Sequence, residues 1–509
     1  MLSLIVFLPL AVAAILAAVP GTAAPRVFVR SWIAVAAADL ALVVAAWIGY
    51  EGGLAYEEHL RWIPSAGVGY HVGVDGLSLP LVAMTAGLFL ACAIYSLRQT
   101  HRVKSFVLLF LFLQTVSLGL FTALDLILFF VYFDLSIVGM YFVIAGWGHG
   151  QARRAALTFF LYTFAGSLVL LLGFIGLYLA ADPHTFDIVE LARVNPLAGS
   201  GAYGALVLLA VGIGLAVKTP TVPFHTWLPP AHTEAPAAGS AILAGVLLKM
   251  GTYGFVRIAM PLLPDTWRAY APVVVVVGVV SVLYGALVAL AQEDFKRMVA
   301  YTSVNHMGYI ILAVGAAGIL AGSDAQARSL AVTGAVTQMV SHGLITAALF
   351  LLAGVLWDRR ASYDMGAYSG LAGPAPVFAG ATAVAAFASL GLPGFSGFIA
   401  EFQIFTGALA SATVATALAL LGILLTAGLF LRALHRVFLG PLRIPDAPGA
   451  ARGFADLRGS EAAAVLPLLA LAVVIGVAAL GLRVLDVPTV DVVRQQMHAE
   501  LLMQGWPVP

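Results

Sequence analysis

Long apolar runs separated by short polar stretches make up most of this 509-residue chain. A helix that crosses the hydrocarbon core of a bilayer needs about 20 mainly apolar residues, and runs near that length recur along the whole sequence. They predict helices at about 2–19, 31–50, 79–97, 105–124, 126–147, 155–180, 203–228, 239–260, 271–291, 298–320, 330–355, 377–410, 413–436 and 463–483. The pattern therefore predicts an all-α integral membrane protein with about 14 transmembrane helices.

The seventh and twelfth runs are longer than one span, and each contains a proline break, at residues 218–220 and 392–394. The two broken helices are five segments apart. Because an odd number of helices per repeat reverses its orientation, this spacing predicts two inverted five-helix repeats, helices 4–8 and helices 9–13. The predicted division is residues 1–104 with an outer loop at 51–78, a first repeat at 105–260, a second at 271–436, and residues 437–509 with an inner loop, helix 14 and a C-terminal tail.

The amino-acid composition of the chain excludes several classes of protein function. The chain is 62% hydrophobic and 10% charged, with a mean hydropathy of +1.02, whereas about a quarter of the residues of a soluble domain are charged. The net charge of +1 gives no reason to expect nucleic-acid binding. The single cysteine, Cys92, excludes an internal disulfide and a cysteine-held iron–sulfur or zinc site in this chain. Any redox chemistry is therefore expected in a partner.

Basic residues predict the orientation. Sixteen of the 25 lysines and arginines fall in one set of loops and seven in the other, and the richer set is expected to be cytoplasmic. Both termini then lie on the non-cytoplasmic side. The first run lacks a basic stretch before it, so we interpret it as a retained helix rather than a signal peptide.

Four ionisable side chains lie inside apolar segments: Asp134, Lys218, Lys249 and Glu401. Such groups are costly in hydrocarbon and usually mark an ion or proton path. Two acids and two bases suit a relay in which each proton affinity depends on the neighbouring charge. The alternatives are buried salt bridges that only join helices and, for Lys218, a side chain that reaches the headgroups.

Four histidines lie beside these groups. His225 and His232 flank the break in the seventh segment, and His306 and His342 lie in later apolar segments. Each is able to carry a proton near neutral pH or to bond a neighbouring helix, and the sequence does not decide between these roles. Their spacing is not that of a metal site.

Four stretches carry a family resemblance: KTPTVPFHTWLPPAHTEAPAAGSAILAGVLLKMGTYGFVR (218–257), DFKRMVAYTSVNHMGYI (294–310), GVDGLSLP (73–80) and GLPGFSGFIAEF (391–402). The chain resembles the antiporter-like subunits of proton-pumping NADH:quinone oxidoreductase, respiratory complex I. It is most similar to subunit M over about residues 2–485. That family has fourteen helices with two inverted five-helix repeats.

The resemblance also implies roles. Lys218 matches the pumping lysine of the broken seventh helix, Lys249 the connecting lysine of the eighth, and Glu401 the acidic terminus on the twelfth. Subunits L and N and the Mrp-type antiporter subunits usually carry lysine at this last place, so Glu401 favours subunit M. Asp134 replaces the family's glutamate, and this shorter side chain implies a weakened or water-bridged pairing with Lys218.

The implied activity is that of a membrane-arm subunit of an H⁺-translocating NADH:quinone oxidoreductase, with no redox centre and no direct NADH contact in this chain. Flavin mononucleotide and iron–sulfur clusters are expected in partner subunits, and L-like and N-like subunits and lipid are the expected neighbours. The implied location is the bacterial inner (plasma) membrane. Three alternatives remain open: an Mrp-type Na⁺/H⁺ antiporter subunit, a subunit of a related complex with a donor other than NADH, and a secondary transporter of a small solute.

The orientation is testable by labelling of single introduced cysteines. We expect residues at the two ends to react from the non-cytoplasmic side, and a residue between His149 and Arg154 to react from the cytoplasmic side. Cytoplasmic labelling of both ends would contradict the predicted topology.

Overall fold

The fold is described from a computed structural model, which covers residues 1–446 and 453–485. Most of the predicted C-terminal tail lies outside the described residues. The helices are α1 (Leu2–Ala18), α2 (Pro25–Ile48), α3 (Ser78–Tyr95), α4 (Val103–Thr122), α5 (Leu126–Trp147), α6 (Ala152–Ala180), α7 (Ile188–Val194), α8 (Ala202–Lys218), α9 (Leu228–Glu234), α10 (Ala237–Leu262), α11 (Pro264–Leu290), α12 (Phe295–Ile319), α13 (Ala325–Arg360), α14 (Pro376–Ser389), α15 (Ser396–Leu409), α16 (Thr413–Phe438) and α17 (Gly459–Leu485). Short 3₁₀ turns lie at Pro64–Ala66, Ser96–Arg98 and Met365–Ala367.

Each predicted apolar run coincides with one helix, except for the two runs with a break. The seventh run forms α8 and the break that leads to α9, and the twelfth forms α14 and α15. Among the described residues, 11 helices are long and apolar enough to cross a membrane alone. The all-α membrane fold is thus confirmed, while the number of fourteen spans and the inverted repeats stay predictions.

The breaks keep their backbone groups bonded inside the protein, as a lipid environment requires. At the first break, the Trp227 indole N–H donates to the Val217 carbonyl at 2.9 Å, and the Val222 N–H donates to Ser281 Oγ at 3.0 Å. At the second, Gly391 and Gly394 have φ angles of 74° and 98°, which side chains other than glycine rarely adopt. The glycines let the chain turn between α14 and α15.

The central helices are enclosed by the others. The most apolar windows of α10, α12 and α13 are 100%, 94% and 94% buried, whereas those of α2 and α16 are 33% buried. A helix that is covered on every side is able to carry polar groups without exposing them to lipid. Lys249, His306 and His342 each lie on one of these three covered helices.

Two aspartates occupy corresponding places in the predicted repeats. Asp125 caps α5, the fifth segment, and Asp294 caps α12, the tenth, each by accepting hydrogen bonds from backbone N–H groups of its helix. Asp125 also forms an isolated antiparallel bridge with Asp187, and Asp294 forms one with Asp364. The shared arrangement supports the predicted relation between the repeats, although the two halves show little similarity in sequence.

The outer loop contains structure that the sequence analysis missed. Strands β1 (Ala55–Ile63) and β2 (Val68–Val74) form an antiparallel hairpin. The turn between them includes Gly67 at φ 65°. This hairpin is an addition to the predicted all-α fold, in which residues 51–78 were expected only as an outer loop.

Several charges that we had assigned to loops are buried. Arg257 is 5% exposed and its Nη2 lies 2.5 Å from Asp75 Oδ2, while Lys296 is 0% exposed. Arg359 forms a buried ion pair with Glu461 at 2.6 Å. Asp39, within α2, is also 0% exposed and accepts a hydrogen bond from Gln114. The interpretation of Arg257, Lys296 and Arg359 as loop charges was therefore wrong, because neighbouring helices and loops cover them. Asp39, inside the second apolar run, was missing from the four groups that we singled out.

Candidate functional site

Lys218, the last residue of α8, is held inside the protein. It is 1% exposed, and its Nζ donates to Ser136 Oγ on α5 at 2.8 Å. The ammonium also lies 4.7 Å from the centre of the Phe133 ring, a distance at which the ring face attracts a cation. The alternative in which Lys218 reaches the lipid headgroups is therefore wrong.

Asp134 is near Lys218 but does not form a direct ion pair with it in the described structure. The carboxylate interacts with the Ser167 hydroxyl and, at longer range, with the Lys218 charge. Its Oδ1 is buried without a hydrogen-bond partner among the described residues. Lys218 faces Ser136, and residues two apart on a helix do not share a face, so Asp134 points elsewhere. Asp134 and Lys218 therefore interact through their charges and not through a direct contact.

Lys249 makes two close contacts in the middle of the protein. It is 0% exposed, and its Nζ lies 2.6 Å from the Ala244 carbonyl and 2.6 Å from His342 Nδ1. Two π-helical segments, Leu243–Leu247 and Phe255–Ala259, flank the lysine in α10. Such segments disturb the regular hydrogen-bond ladder and are frequent at functional sites.

His342 leads on to His306. Their ring centroids are 5.4 Å apart. His306 Nδ1 lies 3.1 Å from the Gln338 amide nitrogen, and its Nε2 lies 3.1 Å from Ser389 Oγ. Because an amide nitrogen only donates, Nδ1 accepts, and in neutral His306 the proton is on Nε2.

Glu401, on α15, closes this row. Its Oε1 lies 3.9 Å from His306 Nδ1, and its side chain is buried. A cavity between the two residues is lined in part by Gln338, Ser341 and Ser389, and leaves about 10 Å³ for the centre of a water molecule. That is roughly the space that one water requires. Lys249, His342, His306 and Glu401 thus form a nearly continuous row, which we call the Lys249–Glu401 row.

The other two predicted histidines, His232 and His225, lie in different surroundings from each other. His232 is 0% exposed, stacks on Phe350 at 4.5 Å, and has both ring nitrogens unpartnered among the described residues. It lies within electrostatic range of Lys249 and Lys296. His225 instead packs edge-on against Tyr284 at 4.9 Å. None of the hydrogen bonds or ring contacts found among the described residues joins His225 to the row.

Lys296 anchors a second cluster, at the face that we predicted as cytoplasmic. Its Nζ donates to the Ala235 carbonyl and lies 5.1 Å from the centre of the Tyr363 ring. Beside it, His149 Nε2 is 3.2 Å from the Tyr363 hydroxyl and Nδ1 is 3.4 Å from Glu234 Oε2. We had counted Lys296 among the basic residues of the loops expected to be cytoplasmic. The signal against that interpretation was the unbroken apolar pattern after Lys296 and Arg297.

In this cluster the positive charge of Lys296 influences the pKa of His149 more than the negative charge of Glu234 does. Burial and then the Lys296 charge lower the pKa of His149 from 6.5 to about 4. The Glu234 carboxylate favours the charged imidazole, but Lys296 already supplies a positive charge there, so a second one is disfavoured. Burial raises the pKa of Glu234. His149 is therefore neutral near neutral pH.

The chain is similar in sequence to a known membrane-protein family and to several of its members. Residues 123–426 match the family described as NADH:quinone oxidoreductase/Mrp antiporter, TM. The chain is 37% identical over 519 residues to NADH-quinone oxidoreductase subunit M of Rhodobacter capsulatus, covering 98% of each chain. It is 38% identical over 413 residues to F(420)H(2) dehydrogenase subunit M of Methanosarcina mazei, covering 79% of this chain and 81% of that one.

A solved structure shares the whole fold. A chain in the structure titled respiratory complex I from Thermus thermophilus with bound NADH superposes with a TM-score of 0.85 at 29% identity. The match covers 99% of this chain and 100% of that one. The described architecture is therefore that of a known membrane subunit over its full length.

The buried neutral His149 predicts a pH-dependent stability. The unfolded chain binds a proton at this site below about pH 6.5, whereas the folded chain does so only near pH 4. Stability should therefore fall as the pH decreases through this window and be unaffected above it. His149→Phe keeps the ring stacked on Trp357 and should reduce the loss.

The measurement is the melting temperature of the assembled complex between about pH 7 and about pH 5. His184→Phe, at an exposed histidine on the opposite face, is the control and should behave as the parent. An identical pH dependence in the parent and in His149→Phe would contradict the prediction.

Proposed function

This chain belongs to the NADH:quinone oxidoreductase/Mrp antiporter transmembrane family, and we propose from this premise that its buried charges form a proton relay. It is a multi-pass membrane subunit of the NADH-quinone oxidoreductase subunit M type. The proposal concerns which residues carry the proton. The observation that supports it most is the Lys249–Glu401 row, of which all members except Glu401 lie on the three covered helices α10, α12 and α13.

The row offers a defined sequence of proton transfers. His342 Nδ1 accepts from the Lys249 ammonium at 2.6 Å, so transfer of that proton leaves neutral lysine and a doubly protonated imidazole. The same imidazole then releases the other proton from Nε2, which is buried without a partner among the described residues. A water in the cavity lined by His306 and Glu401 is the next carrier.

Gln338 controls the final step. Its amide occupies His306 Nδ1, the nitrogen that faces Glu401 at 3.9 Å. Protonation of Nδ1 requires this amide to turn away or to present its oxygen, since a nitrogen that carries a proton no longer accepts. When the proton reaches Glu401, both ends of the row become neutral. Neutral ends avoid the cost of two separated charges in a low-dielectric interior.

In the first half of the proposed relay, which contains Asp134 and Lys218, the charged groups are not joined by direct contacts. Lys218 holds its proton against Ser136, with Asp134 as a more distant countercharge. His232, with two unpartnered ring nitrogens and within electrostatic range of Lys249, is the candidate link between the halves. Water is required on both sides of it, because no hydrogen bond among the described residues joins His232 to either lysine.

The driving energy comes from outside this chain in the proposal. Electrons pass from NADH through flavin mononucleotide and iron–sulfur clusters in partner subunits to quinone, and the change in charge reaches this subunit through its L-like and N-like neighbours. We place the subunit in a bacterial inner membrane with both termini on the non-cytoplasmic side. Of its inverted repeats, residues 105–260 contribute Asp134, Lys218 and Lys249, and residues 271–436 contribute His306, His342 and Glu401.

A different electron donor is the alternative with a specific observation in its favour. The F(420)H(2) dehydrogenase subunit M of Methanosarcina mazei has 38% identity with this chain over the matched residues, against 37% for the Rhodobacter capsulatus subunit M over a longer match. Resemblance to subunit M therefore does not depend on NADH. An Mrp-type Na⁺/H⁺ antiporter role is disfavoured because Glu401, rather than a lysine, ends the row.

Purification of the native assembly distinguishes these alternatives. We expect flavin and iron–sulfur absorbance to copurify with the chain, and NADH to bleach it while reduced F420 does not. Bleaching only by reduced F420 would establish the other donor. A particle without these chromophores that exchanges Na⁺ for H⁺ would instead support the antiporter.

The relay itself is tested by histidine variants that differ in position. His342→Gln and His306→Gln should reduce the rate of donor-driven proton translocation in vesicles at least tenfold, because general acid–base groups contribute about 10²–10⁴-fold to the rate of proton transfer. His225→Gln is the matched control, since it removes a buried histidine that lies outside the row.

Subunit content and donor oxidation by an artificial acceptor are measured alongside, so that failed assembly is recognised. Parent-level translocation in an assembled His342→Gln, His306→Gln double variant would refute the row. An equal loss in His225→Gln would show that any buried histidine change disrupts the protein.

A further inference from the structure

A cluster of metal-binding residue types lies on the outer hairpin, away from the relay. Glu57 and His59 lie on β1, His71 on β2, and Asp187 at the start of α7. His59 and His71 are directly paired across the strands, with ring centroids 4.4 Å apart and planes at 10°. One ligand atom each of His59, His71 and Asp187 lie within 4.8 Å of one another.

Asp187 fixes the orientation of the His71 ring. Its Oδ2 lies 2.5 Å from His71 Nδ1. Because an ionised carboxylate only accepts, Nδ1 carries the proton, and in neutral His71 the other nitrogen, Nε2, presents a lone pair. That Nε2 is buried on a side chain only 4% exposed, and it faces the Glu57 carboxylate at 3.3 Å without hydrogen-bond geometry. A buried lone pair held in this way is suited to a cation.

One of the separations fits a small tetrahedral ion, although the stacked rings of His59 and His71 would have to turn toward each other to share it. His71 Nε2 lies 3.3 Å from Glu57 Oε1. Ligands bound tetrahedrally at about 2.0–2.1 Å are roughly 3.3 Å from each other, so these two atoms already have the required separation. Asp187 is too close to the ring to share the ion with Nδ1. It instead matches the carboxylate–histidine–metal arrangement in which the carboxylate orients the ligand.

We propose that Glu57, His59 and His71 bind a divalent transition-metal ion such as Zn²⁺, with Asp187 as the positioning residue and water in the fourth place. Imidazole and carboxylate ligands suit zinc, whereas calcium and magnesium prefer oxygen ligands alone. His59 and Glu57 are exposed, so the ion reaches the site from water. The proposal does not depend on the relay.

The site is joined to the membrane helices by backbone contacts. The His71 carbonyl accepts the Leu124 N–H at 2.9 Å, and Asp187 is bridged to Asp125, the cap of α5. A bound ion therefore ties the hairpin, α7 and the start of α5 together. The competing arrangement is a protonated His71 that bridges Asp187 and Glu57 without a metal.

The test uses the purified, assembled complex after chelator treatment and desalting, titrated with Zn²⁺ alone in the presence of excess Mg²⁺. Bound zinc per complex is measured by equilibrium dialysis and elemental analysis. His59→Ala and Glu57→Gln alter exposed positions, so assembly should persist, whereas His184→Ala removes an exposed histidine outside the cluster and is the matched control.

We expect the parent and His184→Ala to bind one more Zn²⁺ per complex than His59→Ala, with at least a tenfold loss of affinity in Glu57→Gln. Asp187→Asn should weaken binding by about 10–100-fold, the usual effect of losing an orienting carboxylate. Equal zinc content and affinity in the parent and in both ligand variants would overturn the proposal. So would an equal loss in His184→Ala.

Discussion

A charged ammonium in the middle of a membrane protein has to be satisfied by groups that the protein itself supplies, and Lys249 shows what this requires. Its contacts come from the Ala244 carbonyl, beside a π-helical segment, and from His342 on α13. Both contacts exist only because α10 and α13 are covered on nearly every side. The outer helices thus provide the dry surroundings in which a proton transfer between two nitrogens governs the local charge.

The sequence predicted those parts of the fold and site that depend on local pattern. Apolar runs gave the helices, and prolines and glycines at residues 218–220 and 392–394 gave the two breaks. Lys249 and Glu401 stood out because each is flanked by apolar residues for several turns. These features are recognisable without knowledge of the tertiary structure, because the free-energy cost of a charge in hydrocarbon depends on how far along the chain it lies from water.

What the sequence did not predict depends on contacts between distant segments. Ser136 and Gln338 are ordinary polar residues until Lys218 and His306 are placed beside them. Lys296 looked like a loop charge, because the loops that cover it are remote in sequence. The matching backbone bridges of Asp125 and Asp294 were also not predictable from the sequence. Backbone N–H and C=O groups are the same in every residue other than proline, so the sequence does not show which of them pair.

The two halves of the proposed relay hold their charges differently, and this difference gives them different roles. In the second half a lysine and a glutamate are linked by two histidines and a cavity, so one proton moved along the row removes both charges. In the first half Lys218 rests on a neutral hydroxyl, with its countercharge further away. A proton that leaves Lys218 therefore leaves Asp134 charged and unpaired, unless another proton replaces it. The second half of the relay is thus able to become neutral by an internal proton transfer, whereas the first half requires a proton from elsewhere. The charge of Lys249 acts on both halves and therefore couples them.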